Sequence, residues 1–240
     1  MDNRGNCMGR RAMIKQLCGI VLSGLVSPRL LLELQNGNLN GPFRPPIQVI
    51  AVGSGACNIL NHLIETPIQD LKTIFIGPDV RYVKTSQADI KIQIGRRLCR
   101  GFSCNGDPDL GRLAALEDRP KIKAVLRPSR RNLIIACLGG GTGTGAGPLV
   151  ADWSNASGAH TLAIVTMPFW FEGKGQFYTA LKGLREFQRR VKSIYIHHNE
   201  VPTKYRNRPV IEVFKINDDK IEILCSAIID KMIDQRRVMI

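Results

Sequence analysis

Seven small residues, Gly139-Gly140-Gly141-Thr142-Gly143-Thr144-Gly145, stand close behind the apolar run Leu133-Ile134-Ile135-Ala136-Cys137. Five glycines and two threonines end a buried strand, and the chain beyond them is compatible with a helix. Glycine lets backbone N–H groups approach an anion with no Cβ in the way. The positive end of the following helix adds partial charge at the same point. Strand, glycine loop and helix in that order describe a phosphate cradle, and a nucleotide is the ligand class it suits.

Two commoner phosphate loops fit less well. A Walker loop needs Gly-x-x-x-x-Gly-Lys-Ser/Thr, and no lysine stands between Asn132 and Phe171. A dinucleotide fingerprint can be laid on Gly141, Gly143 and Ala146, but it then wants an acid at the end of the next strand to hold the ribose. That strand, 161–165, runs into Thr166-Met167-Pro168, and the first acid beyond it is Glu172. The remaining alternative is a glycine turn with no ligand. Such a turn leaves the entropy cost of seven small residues without a close-packed partner.

Strand and helix patterns alternate along the chain. Strands are expected at 47–52, 73–76, 132–137, 160–165 and 193–196, and helices at 57–65, 109–126, 145–157 and 176–192. A last helical stretch runs from 209 towards 236, with one break. This order predicts an α/β fold: a Rossmann-like, doubly wound, mostly parallel sheet covered on both faces. In such sheets the ligand sits at the carboxyl ends of the strands. The glycine loops at 53–58 and 139–145 both follow strands and converge on that edge.

Other motifs accompany the loop. Ile47 to Asn58 reads as a first strand running into Gly53-Ser54-Gly55-Ala56-Cys57-Asn58. Ala88 to Gly95 is followed by Arg100-Gly101 and Gly106-Asp107-Pro108. Pro168-Phe169-Trp170-Phe171-Glu172-Gly173 forms a turn, and residues 209–219 open the last helix. Together with GGGTGTG, and in this order, they resemble the tubulin/FtsZ family of division GTPases from about residue 47 to about residue 233.

The resemblance implies GTP or GDP as ligand, with magnesium entering through the nucleotide. It implies that Gly139, Gly140, Gly141, Thr142, Gly143, Thr144 and Gly145 wrap the α- and β-phosphates. Thr144 is also a candidate helix N-cap. Gly53, Ser54, Gly55, Ala56, Cys57 and Asn58 would add amides from the opposite side. Glu172 matches the family's ribose contact, Asn199 its guanine-edge asparagine, and Phe214 its stacking residue. Asp218, one helical turn beyond Phe214, would accept from guanine N1 and N2 hydrogens, a donor pair that adenine lacks. Gln176 stands where the family directs an arginine at phosphates and ribose.

Several positions depart from the family pattern. Ser54 and Ala56 replace glycines, Gly77-Pro78-Asp79 replaces an Asn-Thr-Asp turn, and Phe102-Ser103-Cys104-Asn105 replaces a glycine-rich γ-phosphate loop. Gln176 removes a positive charge. These changes cluster on γ-phosphate sensing, so weakened GTP binding is expected, with preference over GDP reduced most. The family's catalytic-acid loop follows the central helix and acts on a neighbour's nucleotide. It is not found before Ile240. The expectation is a domain without its second domain, no catalytic residue on this chain, and hydrolysis that is weak or occurs only in trans with an intact subunit. Capping of a filament of intact FtsZ-like subunits, and a non-nucleotide interaction module that retains the fold, are the alternatives carried with it.

Composition bounds the rest. The 240 residues carry a net charge of +14, unusual for a polymerising member of this family. Basic clusters at 96–97, 127–131, 189–192, 204–208 and 236–237 suit an acidic protein or an anionic membrane surface. No aromatic-interleaved platform for nucleic acid is visible. Seven scattered cysteines without a Cys-x-x-Cys pair, and four histidines outside any zinc spacing, assign no metal ligand and point to reduced thiols in the cytoplasm. Residues 1–46 read as a basic extension and linker ahead of a domain at 47–240. The run 17–26 within the extension is short for a membrane span, and its basic character leaves an organellar transit peptide as the alternative.

Overall fold

The structure is a computed structural model describing residues 47–66, 68, 71–126, 131–201 and 208–237. The extension assigned to 1–46, and the parts of the basic clusters at 127–130 and 204–207, lie outside the described residues.

Six strands form one sheet: β1 (Ile47–Val52), β2 (Leu71–Gly77), β3 (Ile90–Gln93), β4 (Arg131–Cys137), β5 (His160–Met167) and β6 (Ser193–His198). Their spatial order is β3-β2-β1-β4-β5-β6, and every neighbouring pair is parallel. A parallel sheet has both faces covered, so its strands read as continuous apolar runs rather than alternating ones. All six residues of β1 are buried. Gln48, the polar member, is held by its amide donating to the carbonyl of Val125 at 2.9 Å.

Alternation along β1 divides the core in two. Ile50 and Val52 face one layer, and Ile47, Val49 and Ala51 face the other. The first layer is closed by α3 (Pro108–Glu117), α4 (Arg119–Leu126), α5 (Gly141–Ala156) and α6 (Lys174–Gln188). Ala114, Ile122, Val150 and Phe187 lie within it. The second is closed by α1 (Ser54–Ile64) and α7 (Val210–Arg237), while a short α2 (Val80–Thr85) follows β2. α7 buries Val213, Asn217, Ile221, Cys225, Ile228 and Met232, a three-to-four-residue stripe that a helix presents on one side. Each fully buried Ile, Leu or Phe contributes about 1.5–3 kcal/mol.

The architecture agrees with the expected fold, and the local differences have physical causes. The stretch 109–126 is two helices. Pro120 has no N–H to continue the first, and Asp118, buried at the junction, accepts from Gly95 N at 2.9 Å. α7 runs 28 residues without the expected break. β3 and α2 were not expected as elements. β3 has four residues, too few to establish a period. α2 has six and is set by Asp79, which accepts from Arg81 N at 2.9 Å as its N-cap.

Candidate functional site

The strand order reverses between β1 and β4, which lie side by side with Val52 opposite Ala136. The loops leaving both strands emerge at one point on the carboxyl edge. There they border a cleft of about 860 Å³.

Each loop runs into a helix whose first turn has no side-chain cap. Gly53 caps α1 and Gly140 caps α5, neither with a side-chain hydrogen bond. Asp79 and Asp107, by contrast, cap α2 and α3 with their carboxylates. An uncapped first turn leaves N–H donors unsatisfied, and two such turns here open on the same cleft. Gly53 has φ +92°, and a Cβ on it would lie 3.2 Å from Gly143 N. The two loops therefore meet backbone to backbone.

The five glycines of residues 139–145 have different reasons to be glycine. Gly139 adopts φ +100°. A Cβ on Gly140 would meet nothing within 4 Å, so that residue faces open space. A Cβ on Gly141 would lie 2.6 Å from Asp107 O, and one on Gly143 or Gly145 would collide with the carbonyl of Cys137 or Pro108. These last three let α5 seat against β4 and α3. That close seating lets α5 begin at Gly141, four residues before the expected start. Thr144 is accordingly not the helix cap. Its hydroxyl accepts from Gly139 N at 2.9 Å and ties the loop to the first turn.

Of the residues singled out in the sequence, Gly53, Ser54, Gly55 and Asn58 line the cleft from the β1 side, and Gly140, Gly141, Thr142 and Gly143 from the β4 side. Glu172, Gln176, Asn199, Phe214 and Asp218 line it too. Ala56 and Cys57 do not; they are fully buried on the core side of α1. Gly139 lies behind the lining. Thr144 and Gly145 face a smaller hollow of about 250 Å³ beside α3 and α6.

The end formed by β6 and α7 has a different chemistry. Phe214 is half-exposed and meets Phe169 edge-on at 5.0 Å between centroids, while Phe169 stacks on Phe171 at 4.9 Å. The Oδ1 of Asn199 is buried without a hydrogen-bond partner. Burial pushes the Asp218 carboxyl up to about 6, with His62 opposing the shift and Asp219 adding to it. Two acceptors that want donors thus stand beside an aromatic face. Glu172 uses one oxygen to accept from Phe169 N at 2.7 Å, closing its own turn.

Sequence reasoning missed His62 and Lys215, which also line the cleft. His62 follows Asn58 by one helical turn, so helical spacing was the available signal. Cys104 and Asn105 also line the cleft, and the hydroxyl of Thr142 donates to the sulfur of Cys104 at 3.5 Å. Among the described residues no three His, Cys, Asp or Glu side chains group as a metal site, and no helix is long and apolar enough to cross a membrane. A neighbouring hollow of about 990 Å³, walled by Trp170, Phe171, Phe177 and Tyr178, has the larger volume but no glycine-loop amides.

The model of the tubulin/FtsZ family, GTPase domain, matches residues 46–205. The cell division protein FtsZ of Aquifex aeolicus is 40% identical over 162 residues, covering 68% of this chain and 44% of that protein. FtsZ 1 of Methanocaldococcus jannaschii is 36% identical over 187 residues, 76% of this chain and 50% of that protein. The chain thus spans about half the length of these relatives. An empty FtsZ dimer of M. jannaschii superposes with a TM-score of 0.71 at 34% identity, over 82% of this chain and 57% of that one. CetZ2 of Haloferax volcanii, solved as a GTPγS-bound protofilament, shares the fold with a TM-score of 0.66 at 17% identity, over 74% and 56% of the two chains.

Proposed function

The chain belongs to the tubulin/FtsZ family, in its GTPase domain, and from that membership we propose that it binds a guanine nucleotide in the cleft between the β1 and β4 loops. The observation that supports this most is the convergence of two uncapped helix N-termini on one cleft. Donors and helix dipoles aimed at one place suit a di- or triphosphate. Gly140 to Gly143 and Gly53 to Gly55 hold the phosphates through backbone N–H groups. Ala56, Cys57, Gly139, Thr144 and Gly145 support the cradle from behind. Magnesium enters with the phosphates.

At the other end Phe214 offers its ring to the base. Asn199 Oδ1 and the Asp218 carboxylate accept from the guanine N1 and N2 hydrogens. Adenine presents no such pair, so the same groups exclude it. Glu172 turns its second oxygen to the ribose.

Turnover by the isolated chain is weak. Glu172 and Asp218 are the acids that line the cleft among the described residues. One is engaged with Phe169, and the other sits at the base end. Activation of water at the γ-phosphate therefore needs an acid from a neighbouring like subunit. We place this domain in a division or filament system of the kind its relatives' names describe. The five described cysteines are free thiols, which suits a reducing cytoplasm.

Calorimetric titration of the 240-residue chain with GTP, GDP and ATP, magnesium present, tests the reading. Guanine-selective binding is expected. Equal binding of ATP, or no binding of any of the three, refutes it.

A further inference from the structure

The loop between β3 and α3 carries two thiols that the nucleotide reading does not use. Cys99 and Cys104 are both buried, and their sulfurs lie 3.8 Å apart. The backbone folds tightly to bring them together. Cys99 N donates to Gly95 O at 2.7 Å, Phe102 N to Cys99 O at 2.8 Å, and Asp107 N to Cys104 O at 2.8 Å. Gly95, Arg100, Gly101, Asn105 and Gly106 all have positive φ. At Arg100 and Asn105, with φ 50° and 46°, that conformation is uncommon for a residue bearing a Cβ. The loop is thus held in a shape that sets the two sulfurs face to face.

The pair also touches the phosphate loop. Cys104 lines the cleft, accepts the Thr142 hydroxyl, and has its Cβ 2.7 Å from where a Cβ on Gly141 would stand. We propose that Cys99 and Cys104 are a reversible thiol–disulfide pair, closed by a small-molecule disulfide such as glutathione disulfide, and that closure reshapes the phosphate end of the cleft. The second half of this proposal rests on the nucleotide reading; the first does not.

The chemistry balances with glutathione disulfide as oxidant. Cys104 is buried at the cleft wall, so local opening of the loop at 99–106 admits the disulfide. The Cys104 thiolate then displaces one glutathione thiolate and forms a mixed disulfide. The Cys99 sulfur then attacks the Cys104 sulfur, and the second glutathione leaves. Two electrons pass to glutathione, and the two thiol protons end on the two glutathione thiolates. A disulfide spans about 2.05 Å, so the sulfurs close by nearly 2 Å. Cys104 withdraws from Thr142, and the α5 first turn loses the contact that positions it. By linkage, a nucleotide that covers Cys104 protects the pair from oxidation.

The full chain is reduced, incubated in glutathione buffers of rising disulfide content, quenched with N-ethylmaleimide and digested with trypsin. Cleavage after Arg97, Arg100 and Arg112 puts the two cysteines on peptides 98–100 and 101–112, so a linked pair is diagnostic. The expected result is that linked pair. With it, faster hydrogen exchange of amides 139–145 and GTP binding weakened about tenfold, the scale of one lost hydrogen bond, are expected in the oxidised form. Cys99→Ser should bind GTP as the reduced wild type does, form only a glutathione adduct at Cys104, and show no linked peptides. Both cysteines free at the most oxidising poise overturn the proposal, as does a linked pair with unchanged exchange. A reduced chain that fails to bind GTP refutes the nucleotide reading instead, and the thiol pair is then judged on linkage and exchange alone.

Discussion

Replacing Asp218 by Asn should move stability and binding in opposite directions. The carboxyl of Asp218 is pushed up to about 6 from 3.8, chiefly by burial. The gap is about 2 units, each about 1.4 kcal/mol, so the folded chain carries up to about 3 kcal/mol of cost for an ionised carboxylate there. Solvent reaches this partly buried side chain, which reduces the figure to about 1–2 kcal/mol. The sign follows from proton uptake. Between pH 4 and pH 6 the folded state holds a proton that the unfolded state has released, so stability falls as pH rises through that window. The cost is fully present above it. Asparagine is neutral throughout. The variant should therefore be more stable by about 1–2 kcal/mol at pH 8 and close to wild type near pH 4. In binding, an amide offers one acceptor and an NH₂ that faces guanine's own donors. Loss of a charged hydrogen bond should weaken GTP by about tenfold or more while leaving ATP unchanged. Urea denaturation at pH 4, 6 and 8 and calorimetry at pH 8 read both effects. A variant less stable than wild type at pH 8 refutes the burial argument. Unchanged GTP affinity refutes the guanine contact.

Two glycine variants separate cradle from packing. Gly140→Ala should cost at most about 1 kcal/mol of stability, the scale of a changed N-cap, yet weaken nucleotide binding. Gly143→Ala, aimed at the Cys137 carbonyl, should cost about 3 kcal/mol or more; equal melting temperatures for the two would contradict the packing described. Gln176→Arg should tighten GTP by roughly tenfold, the scale of a charged hydrogen bond, and GDP by less. Calorimetry showing no change would place Gln176 away from the phosphates.

Much of the fold was legible because a buried parallel strand must be apolar along its whole length. β1, β2, β4 and β5 carry such runs, and β1 has the same bounds in sequence and structure. β6, on the sheet edge with Tyr195 and Ile196 exposed, was expected only over 193–196. Lys91 and Gln93 hide β3, since an edge strand carries polar residues on its open side. The glycine loop was legible as a loop, but not in which direction each glycine faces. Gly140 is open to the cleft, while Gly141, Gly143 and Gly145 answer to backbones more than thirty residues away in sequence or across a strand end. Such contacts have no local signature. Thr144 looked like a cap because threonine caps helices; tertiary seating of α5 moved the helix start past it. His62 lay hidden on an otherwise ordinary helix. Its approach to Asp218 depends on α1 and α7 sharing one face of the sheet.

The position of the cleft across the strand reversal has a consequence for synthesis. Chains are made from the amino end at about 5–20 residues per second, and domains organise as their parts emerge. The glycine loops are complete once β4 and the start of α5 have appeared. Asn199, Phe214 and Asp218 arrive more than fifty residues later, on β6's exit and on α7. If the cleft holds a guanine nucleotide as proposed, a growing chain would acquire its grip on phosphate before its preference among bases. On the proposed reading, discrimination waits until the last helix packs against the first, so selectivity for guanine would also report that these two helices have met.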